Sequence, residues 1–296
     1  MHKSGFVNII GEPNVGKSTL MNALVGDKMS VINSKPQTTR HRIIGIFNDT
    51  DFQIVFSDTP GWIENPGYKM QEVMNKFSYS TFEDADVLLL IIDVLRPIDV
   101  DNQLTLRLQN VTVPRILVLN KIDESTEEQI KEVRSAWEKA FTFDHVFETS
   151  AKLKTGVTDL FETIKNSLSE GPEYYPKDQI TDKPERFFIS EIIRGQILAL
   201  YHQEIPYSAE VVIEEFKESI LRGEDFVRIR ANIYVSRKSQ KAILIGKQGS
   251  AIKQLGIDSR KEIEEWLGKR IHLELYVRVA DDWRNDAYKL KQFGYT

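Results

Sequence analysis

The feature that most constrains the fold is a glycine-rich loop near the N-terminus, Gly11-Glu12-Pro13-Asn14-Val15-Gly16-Lys17-Ser18-Thr19. It follows an apolar run typical of a strand, Phe6–Ile10, and precedes a helical pattern that begins at Leu20. This order of strand, loop and helix is that of a phosphate-binding P-loop, in which backbone N–H groups and the positive end of the helix dipole face a phosphate. We therefore predict that Lys17 reaches the outer phosphates and that the Ser18 hydroxyl is a ligand of Mg²⁺.

The length and composition indicate two globular domains. A chain of 296 residues with 41% hydrophobic and 28% charged residues can bury two ordinary cores. It contains no cysteine, which excludes disulfides and thiolate metal sites and is typical of a reducing cytosol. The sequence has no apolar run of about 18 residues that would span a membrane. Because residues 1–5 lead directly into the first strand pattern, we also expect no signal peptide and a cytoplasmic protein.

The net charge of −5 is unevenly distributed along the chain. Residues 234–296 contain 13 lysines and arginines against 8 aspartates and glutamates, so this segment carries +5 and the rest −10. A basic end on an acidic chain is typical of a module that binds a polyanion.

Strand and helix patterns alternate through the first half. Strands are predicted at 42–47, 52–57, 87–92, 115–119 and 145–148, and helices at 69–82, 102–108, 127–141 and 157–168. This alternation predicts an α/β fold with a mostly parallel sheet and helices on both faces. The motifs lie just after the carboxyl ends of strands, where open α/β sheets bind their ligands.

Two loops offer candidate groups for the phosphates and their metal ion. The strand 52–57 leads into Asp58-Thr59-Pro60-Gly61, where Asp58 could hold Mg²⁺ through water and the Gly61 N–H could reach a terminal phosphate. In the polar segment between residues 27 and 42, either Thr38 or Thr39 could offer its hydroxyl to the same metal. Taken singly, these stretches also fit a plain turn and a polar surface loop.

Two later loops predict which base is bound. In Asn120-Lys121-Ile122-Asp123, the Asp123 carboxylate can accept from the ring N–H and the exocyclic amine of guanine, a donor pair that adenine lacks. Asn120 would tie loops together, and the stem of Lys121 would lie over the ring. Ser150-Ala151-Lys152 would present backbone N–H groups to the guanine oxygen. Each stretch alone is also compatible with an ordinary strand end.

These five motifs, in this order, resemble the signature set of the Ras-like GTPases over residues 5–169. The resemblance implies that the P-loop, Asp58 to Trp62 and the two base-binding motifs bind the nucleotide. It also implies metal ligation by Ser18, Thr39 and Asp58. Catalytic roles are implied for Asn14, Lys17, Thr39 and Gly61.

The residue after Gly61 departs from the Ras pattern. Ras-type proteins carry there a glutamine that orients the attacking water, whereas Trp62 cannot accept or donate a hydrogen bond at that place. The domain is then either an inactive nucleotide switch or a GTPase with another arrangement. The loops resemble those of GTPases with a hydrophobic residue here. Several of these use an asparagine matching Asn14 to hold K⁺ against the phosphates, so K⁺ is a candidate cofactor beside Mg²⁺.

The second half predicts a smaller α+β domain after a linker at 171–185. The predicted order is helix 186–202, strands 209–217 and 227–235, helix 240–245, a Gly246-Lys247-Gln248-Gly249 turn, helix 250–267 and strand 270–279, with a tail at 281–296. This order resembles a KH domain of the prokaryotic type, whose GxxG loop clamps about four nucleotides of single-stranded RNA. The resemblance implies that RNA is bound by Lys241, Ile245, Gly246, Lys247, Gln248, Gly249, Ile252 and Lys253. A GxxG turn alone would also fit a bare helix–helix connection.

A GTPase domain over 1–170 joined to a KH domain over 186–280 resembles the Era family of bacterial assembly GTPases. The resemblance includes Lys35–Arg42 (KPQTTRHR) and Ile245–Gly249 (IGKQG). It implies GTP hydrolysis coupled to binding near the 3′ end of 16S rRNA during maturation of the 30S subunit, by a monomer with peripheral association to the inner membrane.

Two other classes of function stay open at this point. One is a passive RNA-binding scaffold with an inactive first domain, which Trp62 allows. The other is a signalling or membrane GTPase whose KH-like domain binds protein.

Overall fold

The structure, a computed structural model, describes residues 2–26, 29–30, 35, 37–221 and 223–295. Pro36 of the KPQTTRHR stretch, and 27, 28 and 31–34 of the polar segment before it, lie outside the described residues. The chain forms two compact units, Met1–Pro66 with Gln71–Asp182 and Gly67–Met70 with Lys183–Thr296. In the described part of the chain, none of the helices combines the length and the apolar character that a membrane-spanning segment requires.

The first unit contains a six-stranded sheet. Its strands are β1 (Lys3–Ile10), β2 (Ile43–Asn48), β3 (Phe52–Asp58), β4 (Val87–Asp93), β5 (Arg115–Asn120) and β6 (His145–Thr149). The spatial order is β2-β3-β1-β4-β5-β6, and the strands are parallel except that β2 runs antiparallel to β3. The prediction of a mostly parallel sheet is confirmed.

Helices cover both faces of this sheet: α1 (Lys17–Val25), α2 (Lys69–Glu83), α3 (Gln103–Leu108), α4 (Glu127–Ala140) and α5 (Val157–Ser167). Alternate residues of β4 and β5, such as Leu88 and Leu117, pack in one core with α3 and α4. The intervening residues face the opposite side because strand side chains alternate, and α1 and α5 contact each other there. The parallel strands, covered on both sides, place their carboxyl ends along one edge.

Residues 171–180, predicted as linker, are bound to the first unit. Gln53 donates from Nε2 to the main-chain O of Tyr175 (2.8 Å) and accepts at Oε1 from the main-chain N of Tyr174 (2.7 Å). The main-chain N of Ile46 donates to the O of Ile180 (2.8 Å). The proline-rich composition indicated a linker because it excludes regular elements, but it does not exclude hydrogen bonds to side chains such as Gln53.

The second unit contains α6 (Glu185–Leu200), α7 (Ile205–Ser208), β7 (Glu210–Leu221), β8 (Glu224–Val235), α8 (Lys238–Ile245), α9 (Ser250–Leu267), β9 (Arg270–Val279) and α10 (Ala287–Gln292). The sheet order is β7-β8-β9, with β7 antiparallel and β9 parallel to β8. Residues of α6, α8 and α9 pack on it around Ile193, Leu244 and Leu255. The prediction of a smaller domain with the KH order of elements is confirmed. The β7–β8 hairpin is longer than predicted. Its outer residues are exposed and lack the alternation of apolar and polar residues from which the strands were predicted.

The C-terminal tail is part of the second unit. Trp283 is fully buried, and its Nε1 donates to the main-chain O of Ser208 (2.9 Å). Its ring packs edge-on against Phe293 (5.3 Å between centroids), and the Tyr295 hydroxyl donates to Glu210 Oε2 (2.7 Å). The sequence left the structure of this segment open because its aromatic side chains, spread through a polar stretch, have no helical or strand period.

Candidate nucleotide-binding pocket and RNA-binding loop

The P-loop joins β1 to α1 at the carboxyl edge of the sheet. Gly16 immediately precedes α1 with φ of 108°, a conformation that side-chain-bearing residues rarely adopt. A Cβ at this position would also overlap the side-chain amide of Asn120. Asn14 has φ of 65°, which asparagine tolerates better than most residues. The backbone conformation of the loop before α1 therefore favours glycine at position 16 and asparagine at position 14.

Lys17 and Asp58 are buried opposite charges beside this helix N-terminus. Lys17 Nζ donates to the main-chain O of Glu12 (2.7 Å) and of Gly11 (3.1 Å). Burial lowers the pKa of Lys17 to about 8, although the charge of Asp58 opposes this shift. Burial raises the pKa of Asp58, against the hydrogen bond from Ser18 and the charge of Lys17. Each charge is thus costly in this environment, and a bound ion of opposite charge would stabilise it.

Two hydroxyl side chains, those of Ser18 and Thr39, converge on the Asp58 carboxylate. The Ser18 hydroxyl donates to Asp58 Oδ2 (2.7 Å), and the Thr39 hydroxyl lies 3.0 Å from Ser18 Oγ and 3.3 Å from the same carboxylate oxygen. The Thr38 hydroxyl instead donates to the main-chain O of Lys35 (2.6 Å). Thr39 therefore lies with Ser18 and Asp58, and Thr38 points elsewhere.

This group of oxygens fits a magnesium ion. Among the described residues, the buried Asp58 Oδ1 has no hydrogen-bond partner. Hydroxyl and carboxylate oxygens are the ligands that Mg²⁺ prefers, with several positions left to water and phosphate. The donor set is therefore suitable for Mg²⁺.

Asn120 connects the P-loop to two other loops. Its Nδ2 donates to the main-chain O of Val15 (2.8 Å). Its Oδ1 accepts from the main-chain N of Ala151 (2.9 Å) and from the Thr149 hydroxyl (3.3 Å). Asn120 pairs with Thr149 across β5 and β6, which explains why these loops meet. A buried amide with three partners fixes the loops that surround the pocket.

The base-binding candidates stand on a short 3-10 turn after β5. Lys121 has φ of 69°, and its Nζ forms a 2.6 Å ion pair with Asp93 at the end of β4. Asp123, in the turn Ile122–Glu124, has an exposed carboxylate at the pocket. Ser150 pairs with Thr155 through two main-chain hydrogen bonds of 3.1 Å, which shape the Ser150–Lys152 loop.

These groups line one pocket with a volume of about 590 Å³. This is within the range of ordinary small-molecule sites. The lining comprises Pro13, Asn14, Gly16, Lys17, Ser18, Thr19, Gln37, Thr38, Thr39, Thr59, Gly61, Asn120, Lys121, Asp123, Glu124, Ser150, Ala151 and Lys152. The fold thus brings residues from five separate loops together.

Some candidates lie behind this lining, and some lining residues were missed. The predicted residues outside it, all of which the structure describes, are Gly11, Glu12, Val15, Asp58, Pro60, Trp62 and Ile122. Gln37 and Glu124 line the pocket without having been predicted. Their positions next to Thr38 and Asp123 were the available signal. Asp93, which contacts Lys121, was visible only as a charge at a strand end.

Trp62 packs away from the pocket. Its ring lies edge-on to Tyr79 of α2, with centroids 4.7 Å apart, and the Arg107 guanidinium lies 3.4 Å from the centroid of that tyrosine. Trp62 also packs against the apolar core between the sheet, α3 and α4. Its side chain is therefore a packing group in this conformation.

The GxxG loop joins α8 to α9 in the second unit. Gly246, Gln248 and Gly249 all have positive φ, at 74°, 52° and 78°. A Cβ on Gly246 would lie 2.6 Å from that of Ala251, so the loop closes tightly against α9. Lys247 is exposed at the turn, beside the positive N-terminal end of the 18-residue α9. Backbone, lysine and helix dipole together fit a phosphodiester chain.

The other candidate RNA-binding residues flank this loop. Ile245 and Ile252 are partly buried against the core, while Lys253 is exposed and Lys241 is half-buried. Ile243 is an exposed apolar side chain on α8. Apolar and basic side chains therefore lie on both sides of the loop.

Two known families match this chain. A family described as "50S ribosome-binding GTPase" matches residues 6–121, and a family described as "KH domain" matches residues 204–284.

Curated relatives match over nearly the whole chain. GTPase Era of Carboxydothermus hydrogenoformans is 44% identical over 296 residues, covering 100% of this chain and 98% of the relative. GTPase Era of Lactobacillus delbrueckii subsp. bulgaricus is 42% identical over 294 residues, covering 99% of this chain and 96% of the relative.

Two solved structures have the same fold over their full length. A crystal structure of Era in complex with MgGDPNP and nucleotides 1506–1542 of 16S ribosomal RNA matches with a TM-score of 0.92 and 35% identity, covering 100% of both chains. A crystal structure of an Aquifex aeolicus Era variant bound to GDP·AlF4⁻ matches with a TM-score of 0.89 and 36% identity, covering 99% of both chains.

We predict that Asn120→Ala destabilises the first unit by about 2 kcal/mol, because it leaves buried main-chain groups of Val15 and Ala151 without partners. Urea denaturation without nucleotide, followed by circular dichroism, measures this loss. The matched control is Asn110→Ala, at an exposed position after α3, for which we expect a change within about 0.5 kcal/mol. Equal stability of the two variants would contradict a joining role for Asn120.

Proposed function

The chain belongs to the Era family of GTPases, and from this premise we propose that it hydrolyses GTP to GDP and phosphate in a cycle coupled to binding of 16S ribosomal RNA. The observation that carries the proposal is the convergence of the Ser18 and Thr39 hydroxyls on the Asp58 carboxylate. Ser18 and Thr39 line the same pocket as Lys17 and Asp123, and Asp58 lies behind this lining. Phosphate, metal and base groups are thereby combined in one site.

The triphosphate lies against the P-loop. Main-chain N–H groups of residues 14–19, at the start of α1, would face the phosphate oxygens, and Lys17 would exchange its main-chain partners for the outer phosphates. Ser18 and Thr39 would ligate Mg²⁺ directly, and Asp58 would hold it through water. When bound, the ion would supply positive charge to the outer phosphates. The buried carboxylate of Asp58 keeps its ionised form when a cation is adjacent.

The base is selected at the other end of the pocket. The Asp123 carboxylate accepts from the two guanine donors, and the Lys121 stem lies along the ring. Ser150, Ala151 and Lys152 offer main-chain N–H groups to the guanine oxygen. Asn120 keeps this loop in register with the P-loop through its bonds to Ala151 and Val15.

Hydrolysis relies on charge stabilisation rather than on a side-chain base at position 62. Trp62 packs on Tyr79 and offers no acid or base to water. The Gly61 N–H faces the terminal phosphate, and the close approach of Gly61 to Pro13 leaves no room for a side chain there. Asn14 lines the pocket and could hold K⁺, which would supply further positive charge where negative charge develops.

The KH unit binds single-stranded RNA at its GxxG loop. The relative crystallised with 16S nucleotides 1506–1542 supports the same 3′-terminal region as the RNA partner of this chain. Gly246 and Gly249 let the sugar-phosphate backbone approach, Lys247 and Lys253 neutralise it, and Ile245 and Ile252 contact unstacked bases. Because this RNA is in the small subunit, we place the action of the protein in maturation of the 30S particle.

The cellular setting follows from this partner. We place the protein in the cytoplasm with this RNA, and the family resemblance extends the proposal to a monomer with peripheral association with the inner membrane.

Nucleotide and RNA binding are coupled in this proposal. GTP and Mg²⁺ order Thr39 and the segment after Asp58, and this ordering changes the affinity of the KH unit for RNA. Titration of 16S 3′-end RNA in the presence of GDP and of GDPNP measures the coupling directly. Identical affinities would refute it.

We predict that Thr39→Ala lowers kcat for GTP about 100-fold and raises the Mg²⁺ concentration required, because the metal loses a ligand. Thr38→Ala is the matched control, since its hydroxyl bonds to Lys35, and we expect its kcat within about threefold of wild type. Phosphate release from GTP, with ATP as the comparison nucleotide, measures both. Equal losses in the two variants would contradict the assignment, and equal hydrolysis of GTP and ATP would contradict the GTPase site.

We predict that KCl stimulates GTP hydrolysis about tenfold over NaCl, because K⁺ beside Asn14 stabilises transition-state charge. Asn14→Gly should lose this stimulation while keeping GDP affinity, since glycine accepts the positive φ without strain. Phosphate-release assays at constant ionic strength and GDP titrations check the two parts. Equal rates in both salts for wild type would refute the K⁺ role.

We predict that Lys247→Ala weakens binding of 16S 3′-end RNA and reduces the slope of log affinity against log salt by about 0.7, because one phosphate contact is lost. The control is Lys217→Ala on β7, whose side chain is 73% exposed and lies outside the loop. Fluorescence anisotropy at several salt concentrations measures both variants. Equal affinity for Lys247→Ala and wild type would contradict the loop assignment.

A further inference from the structure

Four charged side chains form a continuous ion array that extends from behind the nucleotide pocket to its lining. Glu12 Oε2 accepts from Arg96 Nη1 (2.9 Å), Arg96 Nε lies 3.5 Å from Asp93 Oδ2, and the same oxygen accepts from Lys121 Nζ (2.6 Å). We call Glu12, Arg96, Asp93 and Lys121 the ion array. It begins in the P-loop and ends on the lysine of the base-binding loop.

The sheet explains why these residues meet. Asp93 pairs with Asn120 across the parallel strands β4 and β5, which places its carboxylate beside Lys121, the next residue. The chain turns after β4, with Arg96 N donating to Asp93 O (3.1 Å) and Leu95 N donating to Asp93 Oδ1 (3.1 Å). The Asp93 carboxylate therefore has a fixed orientation.

Burial makes this carboxylate the rigid centre of the array. The Asp93 side chain is only 5% exposed, whereas those of Lys121 and Arg96 are 30% and 35% exposed. A buried anion is stable only when it is paired. Asp93 therefore holds both cations in place, because both contact the same carboxylate oxygen.

The array supplies a second connection between the base-binding loop and the P-loop. The first is the uncharged bond from Asn120 to Val15. Lys121 lines the pocket, whereas Asp93, Arg96 and the Glu12 side chain stand behind it. Removal of Asp93 would leave Lys121 on a backbone of positive φ with a flexible four-carbon stem and no partner from this array.

We propose that Asp93 and Arg96 are positioning residues for guanine-nucleotide binding: Asp93 fixes Lys121 along the base, and Arg96 joins this carboxylate to the P-loop through Glu12. The inference rests on the nucleotide site proposed above. It assigns no contact with the nucleotide to either residue.

We expect the ion array to contribute equally to the binding of GTP in the ground state and in the transition state of hydrolysis. The base is not altered in the reaction, so an interaction that positions it contributes the same binding energy in ground and transition states. Loss of Asp93 should therefore raise KM and leave kcat nearly unchanged.

The test is dissociation of a fluorescent GDP analogue, mant-GDP, from the full-length protein. Asp93→Asn keeps the shape and removes the charge, and we expect dissociation about tenfold faster, with kcat for GTP within about twofold of wild type. Asp101→Asn, an exposed aspartate that follows the same strand, is the matched control and should dissociate at the wild-type rate. An unchanged rate for Asp93→Asn, or a fall in kcat with no change in KM, would overturn the proposal.

A double-mutant cycle distinguishes positioning from general destabilisation. Lys121→Met keeps the apolar stem and removes the charge. If Asp93 acts through Lys121, dissociation from the double variant equals that from Lys121→Met within about twofold. If the increases in dissociation rate from the two single variants multiply in the double variant, Asp93 and Lys121 act independently and the proposal is overturned.

The half-exposed end of the ion array, formed by Arg96 and Glu12, allows a second and independent test. Arg96→Met and Glu12→Gln should each speed dissociation about threefold, and the double variant should be no faster. These positions tolerate substitution well enough to keep the proposal testable if Asp93→Asn does not fold. Wild-type rates in all three variants would refute the role of Arg96. Failure of wild-type protein to bind mant-GDP at all would instead refute the nucleotide site itself.

Discussion

The first unit depends on the burial of Lys17 and Asp58 at the carboxyl edge of its sheet. Two opposite charges at such a position are costly, and their altered pKa values reflect this cost. The P-loop carbonyls, the Ser18 hydroxyl and the Thr39 hydroxyl compensate part of it. We propose that this site gains stability when a polyphosphate faces Lys17 and a divalent cation faces Asp58. The chemistry of nucleotide binding is therefore a consequence of where the fold buries these charges.

The candidate binding loop of the second unit differs from the nucleotide pocket, because its charged side chain, Lys247, is exposed rather than buried. There the loop Gly246–Gly249 combines exposed backbone, an exposed lysine and a helix N-terminus. Such a surface binds a phosphodiester chain mainly through electrostatics that water and salt can screen. Trp283 and the aromatic residues after it pack the C-terminal tail against the second unit.

Sequence patterns anticipated the parallel sheet, the order of the main elements of both units and the loops that form the pocket, but not the short helices α7 and α10. They succeeded because buried parallel strands read as continuous apolar runs and because motifs at strand ends converge on one edge. They did not choose between Thr38 and Thr39, which are adjacent and chemically equal. Packing separates the two, since one hydroxyl turns to Lys35 and the other to Ser18 and Asp58. They also did not predict that residues 171–180 bind to the first unit or that the tail packs on the second. These contacts are with residues distant in sequence, and such contacts produce no local hydrophobic periodicity.

The sequence alone determined the chemical inventory of this protein: a P-loop, a carboxylate suited to guanine, a tryptophan where Ras-type proteins carry a glutamine, and a GxxG turn in a basic segment. These follow from short-range order, in which spacing fixes the residue types that share a loop. Only the tertiary structure decided that Asp93 of β4 lies beside Lys121 and that Arg96 reaches Glu12. Such pairs depend on strand register and on the direction of each side chain, and both are set by packing between elements far apart in the chain.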